Sequence, residues 1–272
     1  GLNAALHFGL EPVVSKTIGE EHNIFAGDDD LRAAELQTFI NDPEIKAIWL
    51  ARGGYGSLRV LDKIDWTALS NSPKWLIGFS DITNLLLEAN LHNVATIHGP
   101  MPKTVPSNYE DDASTNMLFS LLMGNTINYN WTADNIGSGQ SAKGIITGGN
   151  LANLAHLYPS LGSSFFNDKI LFIEEIDEYL YQIDRMLRGM KRSGHFDNLN
   201  GIILGDFSNI KDNDDPFGEK VNEIVTNVFG GLNIPILTSF KAGHEAINWP
   251  LVFGVKHTLM LENGVCNLSF NE

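Results

Sequence analysis

The chain has 272 residues, 43% hydrophobic and 19% charged, enough to bury one large core or two smaller ones. Its formal net charge of −15 argues against nucleic acid as a partner, because phosphate contacts need clustered Lys and Arg. The lone cysteine, Cys266, excludes an internal disulfide and a cysteine-rich metal site, and its apolar neighbours predict a packed, inert thiol.

No apolar run reaches the about 20 residues that span a bilayer, so no membrane partner is expected. Gly1-Leu2-Asn3-Ala4-Ala5-Leu6 lacks a basic region and does not read as a signal peptide. It starts as though mid-helix, which suggests that a short segment precedes it. Farther on, Ala47–Ala51 and Trp75–Phe79 read as buried strands. Asp81 to His92 has helical spacing in Ile82, Leu85, Leu86 and Ala89, and Ala95–His98 returns to strand. This alternation predicts a parallel sheet covered by helices, a doubly wound N-terminal lobe over 1–105.

Residues 106–141 read as a linker region, with many Asn and Ser and a helix only around Ala113 to Met123. A C-terminal β/α domain follows over 142–272. It opens with a strand and turn at Gly144–Gly149 and a helix over Asn150–Tyr158. A strand at Ile170–Ile176, a helix at Ile183–Ser193 and a strand at Gly201–Gly205 come next. The pattern continues with a helix at Glu219–Phe229 and an apolar strand at Ile234–Phe240. His257 to Phe270 predicts a hairpin turning on Asn263-Gly264, a pair that favours the type I′ turn.

Ser80 stands between an apolar strand and an apolar-periodic helix, with Gly78 where a side chain would crowd a sharp turn. Such an elbow projects a nucleophilic hydroxyl and aims helix N-terminal amides at a carbonyl oxygen. The usual second glycine is replaced by Ile82, and Ser80 or Asp81 reads equally well as a helix cap. The turn Arg52-Gly53-Gly54-Tyr55-Gly56 fits an oxyanion hole or phosphate cradle, or an ordinary tight turn, and lacks the ending of a P-loop. A nucleophilic serine needs a histidine base, usually oriented by a carboxylate. Of eight histidines, His98 at a strand end is a candidate for lining a cleft, and His244 lies in a loop after an apolar strand, where α/β sites gather. Glu174 and Glu175 end a strongly apolar strand, face opposite sides by alternation, and read either as a partnered acid or as solvated strand-end charges. Asp212-Asn213-Asp214-Asp215 lacks the glycine and distal glutamate of a calcium loop and reads as a polar turn.

Taken in order, these segments resemble the LD-carboxypeptidase family of serine peptidases, whose relatives include the microcin-immunity hydrolases. Ala51–Gly56 is similar to the family's glycine turn and Ile77–Thr83 to its nucleophile segment. Gly148–Leu151 is similar to the opening of its second domain. Leu171–Glu175 with Tyr181–Leu187, then Gly201–Asp206 and Gly243-His244, complete the series across nearly the whole chain. The resemblance implies Ser80 as nucleophile, His244 as general base and Glu174 as the acid that orients it, with Glu175 behind. It implies backbone amides of Gly54 and Asp81 as oxyanion donors, and Arg52 and His98 are candidates for substrate contacts. Glu245 departs from the glycine that usually follows the histidine, and Trp249-Pro250-Leu251 alters that motif's tail. A first strand typical of the family is also missing before Gly1.

The fold so implied is α/β, a parallel-sheet lobe plus a swivelling β/α lobe whose triad closes across the interface. The implied activity is release of D-alanine from murein tetrapeptides in the cytoplasm by a homodimer, with no cofactor or metal. The alternatives are a hydrolase of aminoacyl-nucleotide antibiotics and a non-catalytic binding module, which the retained Ser80, Glu174 and His244 disfavour.

Overall fold

The computed structural model describes residues 1–270, and the chain falls into two compact units. The first holds residues 1–125 and 250–252, the second residues 126–249 and 253–270. In chain order the first unit contains α1 (Leu2–His7), α2 (Asp29–Asn41), β1 (Ala47–Trp49), α3 (Trp66–Asn71), β2 (Trp75–Gly78), α4 (Thr83–Leu91), β3 (Thr96–His98) and α5 (Ala113–Leu122). The second contains β4 (Tyr129–Thr132), β5 (Ser141–Asn150), α6 (Leu151–Leu157), β6 (Lys169–Ile176), α7 (Leu180–Arg192), β7 (Gly201–Ser208), α8 (Val221–Phe229) and β8 (Ile236–Leu237). After β9 (Leu251–Phe253), most of which returns to the first unit, β10 (Lys256–Glu262) and β11 (Val265–Phe270) end the described chain.

In the first unit the sheet order is β1-β2-β3-β9, and β1, β2 and β3 run parallel. Leu76 and Ile77 of β2 have no exposed surface, as a central strand covered by helices requires. Helix α4 packs on β2 and β3, and its Leu85, Leu86, Leu87 and Ala89 are buried. Around Trp49 of β1, Phe119 of α5 packs edge to face, and Phe8 just past α1 stacks on Phe119 at 4.4 Å between centroids. Residues 106–141 thus supply α5 to this core and β4 to the sheet of the other unit.

The second unit's sheet has the order β4-β11-β10-β5-β6-β7-β8, mixed in direction. Strands β5 to β8 are parallel, as strands joined by helical crossovers must be, while β4, β11 and β10 are antiparallel additions on the β5 side. The β10–β11 hairpin turns on Asn263 (φ 51°) and Gly264 (φ 80°), the two left-handed residues of a type I′ turn. Cys266 is fully buried in β11, where desolvation raises its thiol to about 11, so it is inert as expected.

The apolar run Ile234–Phe240 yields only the two-residue β8. Pro235 has no N–H to give a ladder, and Ser239 turns left-handed at φ 64°. The chain nevertheless stays against β7, because Phe240 N–H donates to Leu204 O at 3.1 Å. Phe172 of β6 sits at the centre of this unit with no exposed surface, among the rings of Phe240 and Phe253. Phe172→Ala is expected to lower the unfolding free energy by about 3–5 kcal/mol, read from the midpoint of urea denaturation. A change below about 1 kcal/mol would mean that this ring cluster is not the core.

Candidate active site

In the first unit the residue that stands out is Ser80, with φ 62°. A non-glycine residue in the left-handed region costs roughly 1–2 kcal/mol and persists only where its surroundings impose it. The sharpness of the turn explains both neighbours of the serine. The Ile82 side chain folds back to within 2.8 Å of where a Cβ on Gly78 would stand, so position 78 admits glycine alone. Ile82 is itself buried and has φ −66° and ψ −16°, an ordinary helical conformation that needs no glycine.

A polar network holds the elbow. Ser57 N–H donates to Asp81 Oδ2 at 2.7 Å, and Ser57 Oγ donates to Asp81 O at 2.6 Å. Asn84 Nδ2 donates to Ser57 Oγ at 2.9 Å and to Asp81 O at 3.1 Å. All three side chains are buried, so each polar group needs these partners. The network ties the Ser80 turn to the Arg52–Gly56 turn. Ser57 and Asn84 were not singled out from the sequence; Asn84, a polar residue inside an apolar helix pattern, was the available signal.

Gly53 is the member of the glycine turn that lies against the serine: a Cβ on it would stand 3.0 Å from Ser80 Cβ and 3.2 Å from Oγ. Gly54, the expected donor, has φ 98° and lies beneath the Arg52 guanidinium instead. Arg52 is exposed, donates from Nε to Gly53 O at 3.0 Å, and forms no salt bridge with a carboxylate among the described residues. It is therefore available to an anion. His98 does not line a cleft: it has no exposed surface and meets Phe79 edge to face at 5.9 Å.

In the second unit, β6 ends in two carboxylates that point to opposite sides, as strand alternation requires. Glu175 caps α6: its Oε2 accepts from Ala152 N–H at 2.6 Å, and its Oε1 accepts from Asn150 Nδ2 and Ile176 N–H, both at 2.8 Å. Burial dominates these bonds and lifts its carboxyl to about 7. Glu174, with no exposed surface, accepts from His244 Nδ1 at 2.8 Å. Burial alone would lower the His244 pKa. The hydrogen bond and charge of Glu174, with the charges of Glu175 and Asp177, outweigh it and raise the pKa above its ordinary value.

The loop carrying His244 is stapled at both ends. Gly243 N–H donates to Asn248 Oδ1 at 3.2 Å, and Trp249 N–H donates to Lys241 O at 2.7 Å. Glu245, the departure from the family glycine, accepts from Ser208 Oγ of β7 at 2.7 Å, so it fastens the loop to the sheet. With Nδ1–H donating to Glu174, the ring carries its lone pair on Nε2, the tautomer a general base needs. Among the other histidines, His195 is buried between Ser193 Oγ and Leu161 O, and burial lowers His257 to about 4 in β10.

Among the described residues, no helix is long and apolar enough to cross a membrane. The model of the LD-carboxypeptidase N-terminal domain matches residues 1–99, and that of the C-terminal domain matches residues 143–259. A Bacillus subtilis protein named a probable murein peptide carboxypeptidase is 32% identical, over 97% of this chain and 88% of its own. The microcin C7 self-immunity protein of Escherichia coli is 28% identical, over 97% and 85% respectively. The crystal structure of muramoyltetrapeptide carboxypeptidase from Oxalobacter formigenes superposes with a TM-score of 0.87 at 27% identity, covering 100% of this chain and 93% of that one.

Glu175 also makes a thermodynamic prediction. Its carboxyl titrates near the ordinary 4.5 when unfolded and near 7 when folded, so the unfolded state sheds its proton first as pH rises. Stability is therefore expected to fall between about pH 4.5 and 7, with a slope of up to about 1.4 kcal/mol per pH unit from this group. Glu175→Gln should remove that share of the slope in urea titrations across this range; an unaltered slope would refute it.

Proposed function

The chain belongs to the LD-carboxypeptidase family of serine peptidases, and from that premise we propose that it releases the terminal D-alanine of murein tetrapeptides through Ser80, His244 and Glu174. The observation that carries this reading is the 2.8 Å bond from His244 Nδ1 to the wholly buried Glu174, which makes a base of the right tautomer. The strained Ser80 supports it from the first unit.

In the proposed reaction Nε2 of His244 takes the Ser80 proton as the hydroxyl attacks the carbonyl carbon of the L,D amide. Glu174 orients the ring and stabilises the imidazolium that forms. Backbone amides of Asp81 and Gly54 donate to the oxyanion, the latter on the peptide shared with Gly53. The C–N bond then breaks, His244 protonates the departing amine, and D-alanine leaves. A water molecule, giving its proton to His244, hydrolyses the ester and restores Ser80. Arg52 holds the free carboxylate that marks the substrate's end. Family resemblance supports a homodimer acting in cytoplasmic cell-wall recycling, and no step requires a metal or cofactor.

The 28% identity to a microcin self-immunity protein supports a second reading, the same triad acting on an aminoacyl-nucleotide antibiotic. Mass spectrometry of murein tetrapeptide and of an aminoacyl sulfamoyl adenylate, each incubated with the chain, separates the two. We expect D-alanine release from the tetrapeptide by the wild type. Ser80→Ala should lose that activity by a factor on the order of 10⁴ or more while keeping its fold. Full turnover by Ser80→Ala would sink the assignment of the nucleophile, and cleavage of the adenylate alone would favour the second reading.

A further inference from the structure

Asp206, at the end of β7, is a carboxylate that the triad does not use, yet it lies against the base and its acid. Its backbone N–H donates to Ala242 O at 2.9 Å, two residues before His244. Its carboxyl group is approached by the backbone amide of Glu245, the residue after His244. Between these points lies Gly243 (φ 144°). A Cβ there would stand 3.0 Å from Asp206 Cβ, 3.3 Å from Asp206 Oδ2 and 3.2 Å from Glu174 Oε2. Glycine at 243 thus lets two carboxylates and the backbone of the base converge on one spot. Oδ2 of Asp206 and Oε1 of Glu174 are both buried with no hydrogen-bond partner among the described residues.

We propose that Asp206 is a positioning residue for the reaction, one that clamps the His244 backbone on both sides and, through its charge, sets the pH at which His244 becomes a base. The proposal rests on the reading of His244 as the base. The charged groups that act on this cluster are Glu174, Glu245 of the His244 loop and His244 itself, with Glu175 on the other side of β6 and Asp177 past its end adding negative charge. Burial, then the negative charges of Glu245 and Glu174, lift the Asp206 carboxyl to about 7. Below that pH it is neutral; above it, a further negative charge favours the imidazolium and postpones the neutral form that accepts the Ser80 proton. As pH rises, the base is thereby released later than Glu174 alone would dictate.

Two variants separate the clamp from the charge. Asp206→Asn keeps an acceptor for the Glu245 amide and removes the charge, whereas Asp206→Ala removes both. In Asp206→Asn the acid limb of kcat/KM for D-alanine release, and the NMR titration of the His244 ring, should move together to lower pH by about half a unit or more. In Asp206→Ala, kcat should fall by about tenfold to a hundredfold with KM little changed, and Asn should restore most of it. The wild-type chain supplies a reading that needs no variant: the His244 ring resonances should show a second inflection near pH 7. Ring titration also needs no turnover. A chain that shifts as described but releases no D-alanine would count against the carboxypeptidase reading and not against Asp206. An active chain whose profile, ring titration and kcat are unmoved by both substitutions would overturn the proposal.

Discussion

A carboxylate with no exposed surface is the constraint around which the second unit is organised. Removing an ionised Glu from water costs several kcal/mol unless a partner is supplied in good geometry. Glu174 meets that demand with His244, and the rest of the unit serves the pairing. Parallel strands β5, β6 and β7 bring Glu174 to a sheet end, β7 lies alongside Phe240 to Ala242, and the stapled loop after them delivers the imidazole. Glu175, one residue on, takes the other side of the strand and satisfies the start of α6 instead. Adjacent carboxylates thus hold different tasks because strand alternation sends them into different environments.

The first unit meets a different demand with a different device. A serine in the left-handed region is held there by packing beneath it, where Ile82 fills the space over Gly78, and by hydrogen bonds beside it through Asp81, Ser57 and Asn84. Asp81 follows the serine but serves as an anchor whose carboxylate accepts the backbone amide of Ser57, the residue after the glycine turn. The two turns that would meet a substrate's carbonyl are therefore one connected structure. This accounts for the absent second glycine: the local shape depends on a buried network rather than on backbone freedom at position 82.

Legibility in the sequence followed the strength of each local signal. Strands β1, β2, β3, β6 and β7 were readable because buried parallel strands are apolar throughout, and the hairpin because Asn-Gly has few other uses. Helix α2 escaped notice because only Ala33, Leu36 and Ile40 face the core, too thin a stripe to register as a period. Strand β4 is four residues of alternating burial amid Asn-rich chain, recognisable only once β11 is there to pair with it. Glu174 and His244 lie 70 residues apart, so their contact was inferable only from resemblance. His98 is not separable by sequence, because a strand-end histidine sits under a ring, here that of Phe79, as readily as in a cleft. Asp206 is legible only as the end of a family-like segment, Gly201–Asp206, because the neighbours that give it a role, Gly243 and Glu245, are brought to it by the fold.

The proposed triad, in which His244, oriented by the buried Glu174, would activate the strained Ser80, is tested by peptide mapping by mass spectrometry after treatment with a fluorophosphonate, comparing wild type with His244→Ala and Glu174→Gln. The expected result is a phosphonyl adduct on Ser80 whose rate of formation falls at least about a hundredfold in His244→Ala and by less in Glu174→Gln. An adduct on any other residue, or labelling of Ser80 at an undiminished rate without His244, would contradict it.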